Sequence, residues 1–98
     1  MGTLGKLKKT GVTYKGLIEG ITFGPVPVVI SPIAKANPEA PDYRVYRGQS
    51  EVGAAWKKRT QEGNRYLIVT LDDPAFPASI KCRLVPDGEE HTLYWTRP

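Results

Sequence analysis

The sequence has one cysteine, one histidine and one methionine in 98 residues. A single cysteine, Cys82, excludes an internal disulfide and any cysteine-rich zinc site. It suits a reducing compartment. Cys82 sits at an apolar position of the alternating run "SIKCRLV", where a small buried hydrophobe is the natural reading. The single histidine, His91, stands beside Glu89 and Glu90 and reads as a surface residue in a turn. No serine lies in a Gly-x-Ser-x-Gly context, and there is no Walker lysine and no Gly-x-Gly-x-x-Gly. Nucleophile-elbow and phosphate-loop chemistries therefore have no support. The most apolar stretch, "VPVVISPIA", is too short and too proline-broken to span a bilayer. The opening "MGTLGKLKKTG" has lysines but no apolar run behind them, so no secretory signal is expected. Gly2 lacks the downstream Ser or Thr of a myristoylation site. The expectation is a cytoplasmic protein with no cofactor, no metal and no membrane contact, and not an enzyme.

What is present is ordinary globular composition: 40% hydrophobic and 24% charged residues, outside the disordered range. A chain of this length makes one domain, residues 1–98, with a single modest core. Nine prolines and ten glycines imply many turns and few long helices. The formal charge is +4 and the pI about 9.3. That favours polyanions weakly, and solubility alone also explains it.

Apolar residues alternate along short runs separated by turn residues, and no segment keeps a helical period. "TLGKLKKTG" and "VTYKGLIEGITF" read as a first hairpin, with Gly16 and Gly20 as bending points. Val26, Val28 and Ile30 alternate within a run carrying Pro25, Pro27 and Pro32, which predicts an edge strand. "AKANPEAP" reads as a surface loop. In "DYRVYRGQ", Tyr43 and Val45 face one way, Arg44 and Tyr46 the other. In "VGAAWKKR", Val52, Ala54 and Trp56 share one face, Gly53, Ala55 and Lys57 the other. Packing favours the first face as the inward one, with Trp56 in the core, but alternation alone does not choose between the two faces. "TQEG" makes a hairpin connection with Gly63 at positive φ. "RYLIVTL" sets Leu67, Val69 and Leu71 inward. "IKCRLV" and "HTLYWTRP" follow, joined by an Asp87-Gly88 turn. Phe76, between two prolines, is expected to plug its loop. The sum is an all-β domain: a small antiparallel barrel or sandwich of seven to eight short strands with little or no helix.

The paired carboxylates Asp72 and Asp73 read as turn chemistry rather than a metal pair, since neighbours on a strand diverge. The remaining signal is cationic and aromatic. Lys57, Lys58, Arg59 and Arg65 surround one hairpin tip, with Tyr66 just inside it. With Arg44 and Tyr46 from the preceding strand, they form a candidate nucleic-acid-binding face. Cations would follow phosphates and rings would stack on bases, as single strands are gripped. Lys6, Lys8 and Lys9 add to the same potential without a face assigned. The competing reading is that tip lysines only block edge-to-edge association. The function expected is non-enzymatic binding, to single-stranded nucleic acid. The alternative is an accessory protein that engages a protein partner or a second copy of itself through an exposed strand edge near Val26 to Ile30.

The stretch "EVGAAWKKRTQEGNRYLIVTLDDPAFPASI" closely resembles the segment that typifies the domain-of-unknown-function 736 family. The flanks "GTLGKLKKTGVTYKGLIEGITF", "APDYRVYRG" and "HTLYWTRP" agree, so the resemblance covers nearly the whole chain. Two stretches depart from the family pattern: the proline-rich "GPVPVVISPIAKA", and Asn64 where an arginine is usual. The resemblance implies a small bacterial protein of a kind common on alphaproteobacterial plasmids and integrative elements. It implies no mechanism.

Overall fold

The computed structural model describes residues 2–20, 23–72 and 78–95. They form eight antiparallel strands, each paired with its neighbours in chain order, and the last closes on the first. The strands are β1 (Gly2–Thr10), β2 (Thr13–Gly20), β3 (Phe23–Pro32), β4 (Tyr43–Arg47), β5 (Ser50–Arg59), β6 (Arg65–Leu71), β7 (Ile80–Asp87) and β8 (Glu90–Trp95). The architecture is thus an all-β closed barrel, the option that leaves no free sheet edge along its closed girth. No helix among the described residues is long and apolar enough to cross a membrane.

Alternation decides what fills the barrel. Leu7, Ile30, Val45, Val69, Cys82, Leu84 and Leu93 are almost completely buried. Small residues stand opposite large ones: Gly5 pairs with Ile18, Leu7 with Gly16, and Gly53 with Leu71. This alternation lets an eight-stranded barrel close over a solid core. At Gly16 the requirement is steric. A Cβ there would overlap the Lys6 carbonyl and lie 2.8 Å from Leu7 Cα. Gly11, Gly48, Gly63 and Gly88 all have positive φ. Each lies in a tight connection, so glycine avoids the penalty a Cβ would bring.

Three expectations need correction. The face of β5 is reversed: Gly53, Ala55 and Lys57 pair with Leu71, Val69 and Leu67, the inward residues of β6. The cause is an irregularity where β4 meets β5, between Val45 and Tyr46. It puts Val52 inside as well and flips the parity beyond it. Trp56 therefore lies outside, half-buried, and its indole N–H donates to the Glu39 carbonyl at 3.2 Å. The proline-rich β3 is not an edge strand at Val29 and Ile30, which pair with Tyr46 and Val45 of β4 as well as with Lys15 and Tyr14 of β2. Only its first half runs beyond β4, and there Pro25 and Pro27 remove two amide donors. His91 is not in a turn but on β8, half-buried and inward-facing. Asp73 and Phe76, with the loop plug expected there, lie outside the described residues.

In a closed antiparallel barrel built in chain order, alternate connections share an end. The turn at Gly11, the 33–42 connection, the 60–64 hairpin and the turn at Gly88 therefore gather at one mouth. The 33–42 connection is fastened beside it. Ile33 N–H donates to Asp42 O at 3.1 Å and Asp42 N–H to Ala55 O at 2.9 Å. The Asp42 carboxylate accepts from Lys57 N–H at 2.9 Å.

Candidate functional site

The mouth opens into a cavity of about 650 Å³. Its basic lining is Lys9 from β1, Lys57, Lys58 and Arg59 from β5, and Arg65 from β6. Among the described residues, no carboxylate lines it. Among the described residues, none of these five cations lies within salt-bridge distance of a carboxylate. Their convergence follows from register. Lys9 faces Tyr14 across β1 and β2, Lys57 faces Leu67, and Arg59 faces Arg65. Lys9, Lys57, Arg59 and Arg65 have the inward parity, at strand ends where the apolar filling stops; Lys58, opposite Tyr66, shares the outward parity of Trp56 and reaches the mouth only at its rim.

Below the cations lies an aromatic layer of Tyr14, Tyr43 and His91. Tyr14 and Tyr43 meet edge to face with ring centroids 5.9 Å apart, and Tyr14 meets His91 in the same way at 4.9 Å. Lys9 Nζ is 5.7 Å from the centre of the Tyr14 ring, and Lys57 Nζ is 5.9 Å from that of Tyr43. Both are within cation–π range. Burial, and then the neighbouring Tyr43 phenol, raise the Tyr14 pKa above its ordinary value. Burial, and then Lys9, lower that of His91, so its imidazole is neutral at neutral pH. Its Nδ1 is buried and has no hydrogen-bond partner among the described residues. Leu67, Leu84 and Pro86 complete the lining.

Of the seven residues singled out from the sequence, the mouth brings together Lys57, Lys58, Arg59, Arg65 and Tyr66. Tyr66 stands at the rim, with the Arg83 guanidinium 5.4 Å from its ring centre on the outer wall. Arg44 and Tyr46 do not join them. Both point out of the barrel, and Arg44 is spent on Glu51 at 2.8 Å. Sequence reasoning missed Tyr14, Tyr43 and His91, and left Lys9 unplaced. The signal was available in the strand ends. Lys9 and Tyr14 flank the Gly11 turn and His91 follows the Gly88 turn, which any closed chain-order barrel sets beside the 60–64 hairpin.

Fold and site together define an eight-stranded antiparallel barrel with a blind, cationic, aromatic-floored mouth. Residues 3–98 match the family described as protein of unknown function (DUF736), and the chain belongs to that family. No curated protein and no solved structure matches it.

Proposed function

We propose that this chain is a non-enzymatic binding module of the bacterial cytoplasm that holds single-stranded nucleic acid at the barrel mouth. One observation carries the reading: Lys9, Lys57, Arg59 and Arg65, none within salt-bridge distance of a carboxylate among the described residues, converge on a concave surface that has Lys58 at its rim and three tyrosines and a histidine in its lining. Unpaired cations held close together repel one another, and an arriving polyanion relieves that repulsion while releasing its own counterions. Half-buried Tyr66 and His91 are the rings that can meet a base, where stacking on an accessible face is worth ~1–3 kcal/mol; Tyr14 and Tyr43, each 7% exposed, form the floor beneath. A single strand suits the concavity because its bases are free to turn inward. The mobile-element setting implied by the family resemblance agrees with such a ligand.

A fluorescence-anisotropy titration with labelled single-stranded and duplex DNA and RNA, at low and moderate salt, tests this. The expected result is salt-sensitive binding of single strands, weakened in Lys57→Ala/Arg59→Ala. Absence of binding to every probe at low salt would overturn it.

A second reading rests on β3 running beyond β4, next to the exposed Leu17. A partner strand, or a second copy of the chain, would add alongside Val26 to Val28. That association would be nearly indifferent to salt and would leave Lys57→Ala/Arg59→Ala unaffected. Sedimentation at two salt concentrations separates the two readings.

A further inference from the structure

The cavity is blind. Below its aromatic layer Leu7, Ile30, Val69, Cys82, Leu84 and Leu93 fill the barrel almost without exposure, so no strand threads through. A chain passing over the mouth can touch the exposed cations, but it would have to kink sharply to bring an internal nucleotide down to the buried Tyr14 and Tyr43 beneath them. A chain end can enter without bending. The charge balance points the same way. An internal phosphodiester brings one negative charge, whereas a terminal phosphomonoester brings about −1.5 to −2 at neutral pH and three acceptor oxygens. Four cations of inward parity around one recess, with Lys57 partly offset by the nearby Asp42 carboxylate, match the denser charge. The volume, about 650 Å³, falls within the ~300–1,000 Å³ range of small-ligand sites and is suited to one nucleotide rather than several. Tyr14, Tyr43 and His91 then lie where the sugar and base of that nucleotide would rest.

Building on the nucleic-acid reading of the mouth, we infer that the ligand is the phosphate-bearing end of a single strand. The terminal phosphomonoester sits among Lys9, Lys57 and Arg59, and the first nucleotide lies against Tyr14 and Tyr43. Internal phosphates contact Lys58 and Arg65 at the rim. The shared chemistry is the monoester, which a strand can carry at its 5′ or its 3′ end.

The test is competition. A labelled single strand is displaced by unlabelled strands of one sequence bearing a 5′-phosphate, a 3′-phosphate or hydroxyls at both ends. One phosphorylated strand should compete about tenfold better than the hydroxyl form, the factor expected of one added charge-assisted contact. The advantage should vanish in Lys57→Ala/Arg59→Ala, and a nucleoside monophosphate should displace the probe where the nucleoside does not. Which end wins identifies the source of the phosphate. Equal competition by all three strands, with binding still lost in the variant, would overturn the end-specific inference and leave the mouth as a general strand site. No binding of the labelled strand at all would remove both.

Discussion

Lys57 Nζ stands 5.9 Å from the centre of the Tyr43 ring, inside the barrel mouth, while the indole of Trp56, its neighbour in the chain, is tied to Glu39 outside. The Lys57 backbone holds this arrangement by donating to Asp42 at 2.9 Å, and Asp42 also pairs with Lys35 at 3.2 Å. The hydrogen bond from Lys57, and then Lys35, hold the Asp42 pKa below its ordinary 3.8. A carboxylate depressed in the folded state contributes stability above its unfolded pKa and loses it as pH falls through the folded one. Asp42→Ala is therefore expected to be less stable at neutral pH and to lose less stability than the parent as pH falls below 3.8. Denaturant midpoints measured across that window check this. Parallel acid limbs would show that Asp42 contributes nothing.

The close approach of β1 and β2 depends on the absence of a side chain at Gly16, where a Cβ would meet backbone atoms on both Lys6 and Leu7. Gly16→Ala is expected to cost ~1–3 kcal/mol, the usual range for forcing atoms into a filled site. Gly11 has φ 63° but open space around it, so Gly11→Ala should cost only about 1 kcal/mol, from backbone strain alone. Chemical denaturation ranks the two. Equal losses would mean that the strands separate at no cost.

Cys82 is 1% exposed, and burial pushes its thiol pKa up to about 12. The thiolate is the reactive form. The native protein should resist thiol reagents at mildly alkaline pH, and labelling should appear only with the denaturant transition seen by circular dichroism. Rapid labelling without denaturant would indicate a barrel that opens between β6 and β8.

His91 couples the mouth to pH. Burial, and then Lys9, keep its folded pKa below the ordinary 6.5. The unfolded chain takes up the proton first as pH falls, so the folded state loses stability from about 6.5 downward, until the folded imidazole also charges. His91→Gln should remove that part of the slope. Lys9→Ala should raise the His91 pKa, since it removes the nearby positive charge. An anion bound in the mouth should raise it further, which imidazole NMR shifts during a titration would show. A His91 pKa at or above 6.5 in the free protein would contradict the burial account.

Much of the fold is legible in the sequence because a strand writes itself with a period of two and the turns announce themselves. All four glycines at positive φ lie in connections between strands, and Leu67, Val69 and Leu71 read as the inward set at sight. Which face of a strand is inward is a different matter. A period of two pairs residues but does not choose the side, and one irregularity between Val45 and Tyr46 reverses the choice for β5. That reversal carries Trp56 out, brings Lys57 in, and separates Arg44 and Tyr46 from the cations they were grouped with. Closure is equally silent in local sequence. The pairing of β1 with β8 joins residues far apart in the chain. It alone brings His91 beside Lys9 and Tyr14, so one of the three floor rings could be placed only by assembling the barrel.

On the proposed function, location rather than net charge makes the mouth bind. Two double variants of equal net charge isolate it. Lys57→Glu/Arg59→Glu reverses charge in the mouth, and Lys6→Glu/Lys81→Glu does so on the exposed outer wall. The measurement is single-strand affinity as a function of salt for both variants and the parent. The outer-wall variant is expected to keep nearly the parental affinity. The mouth variant should lose most of it and flatten the salt slope by about 0.7 for each phosphate contact removed. Equal losses in the two variants would contradict the proposed function and reduce the mouth cations to a share of the overall charge.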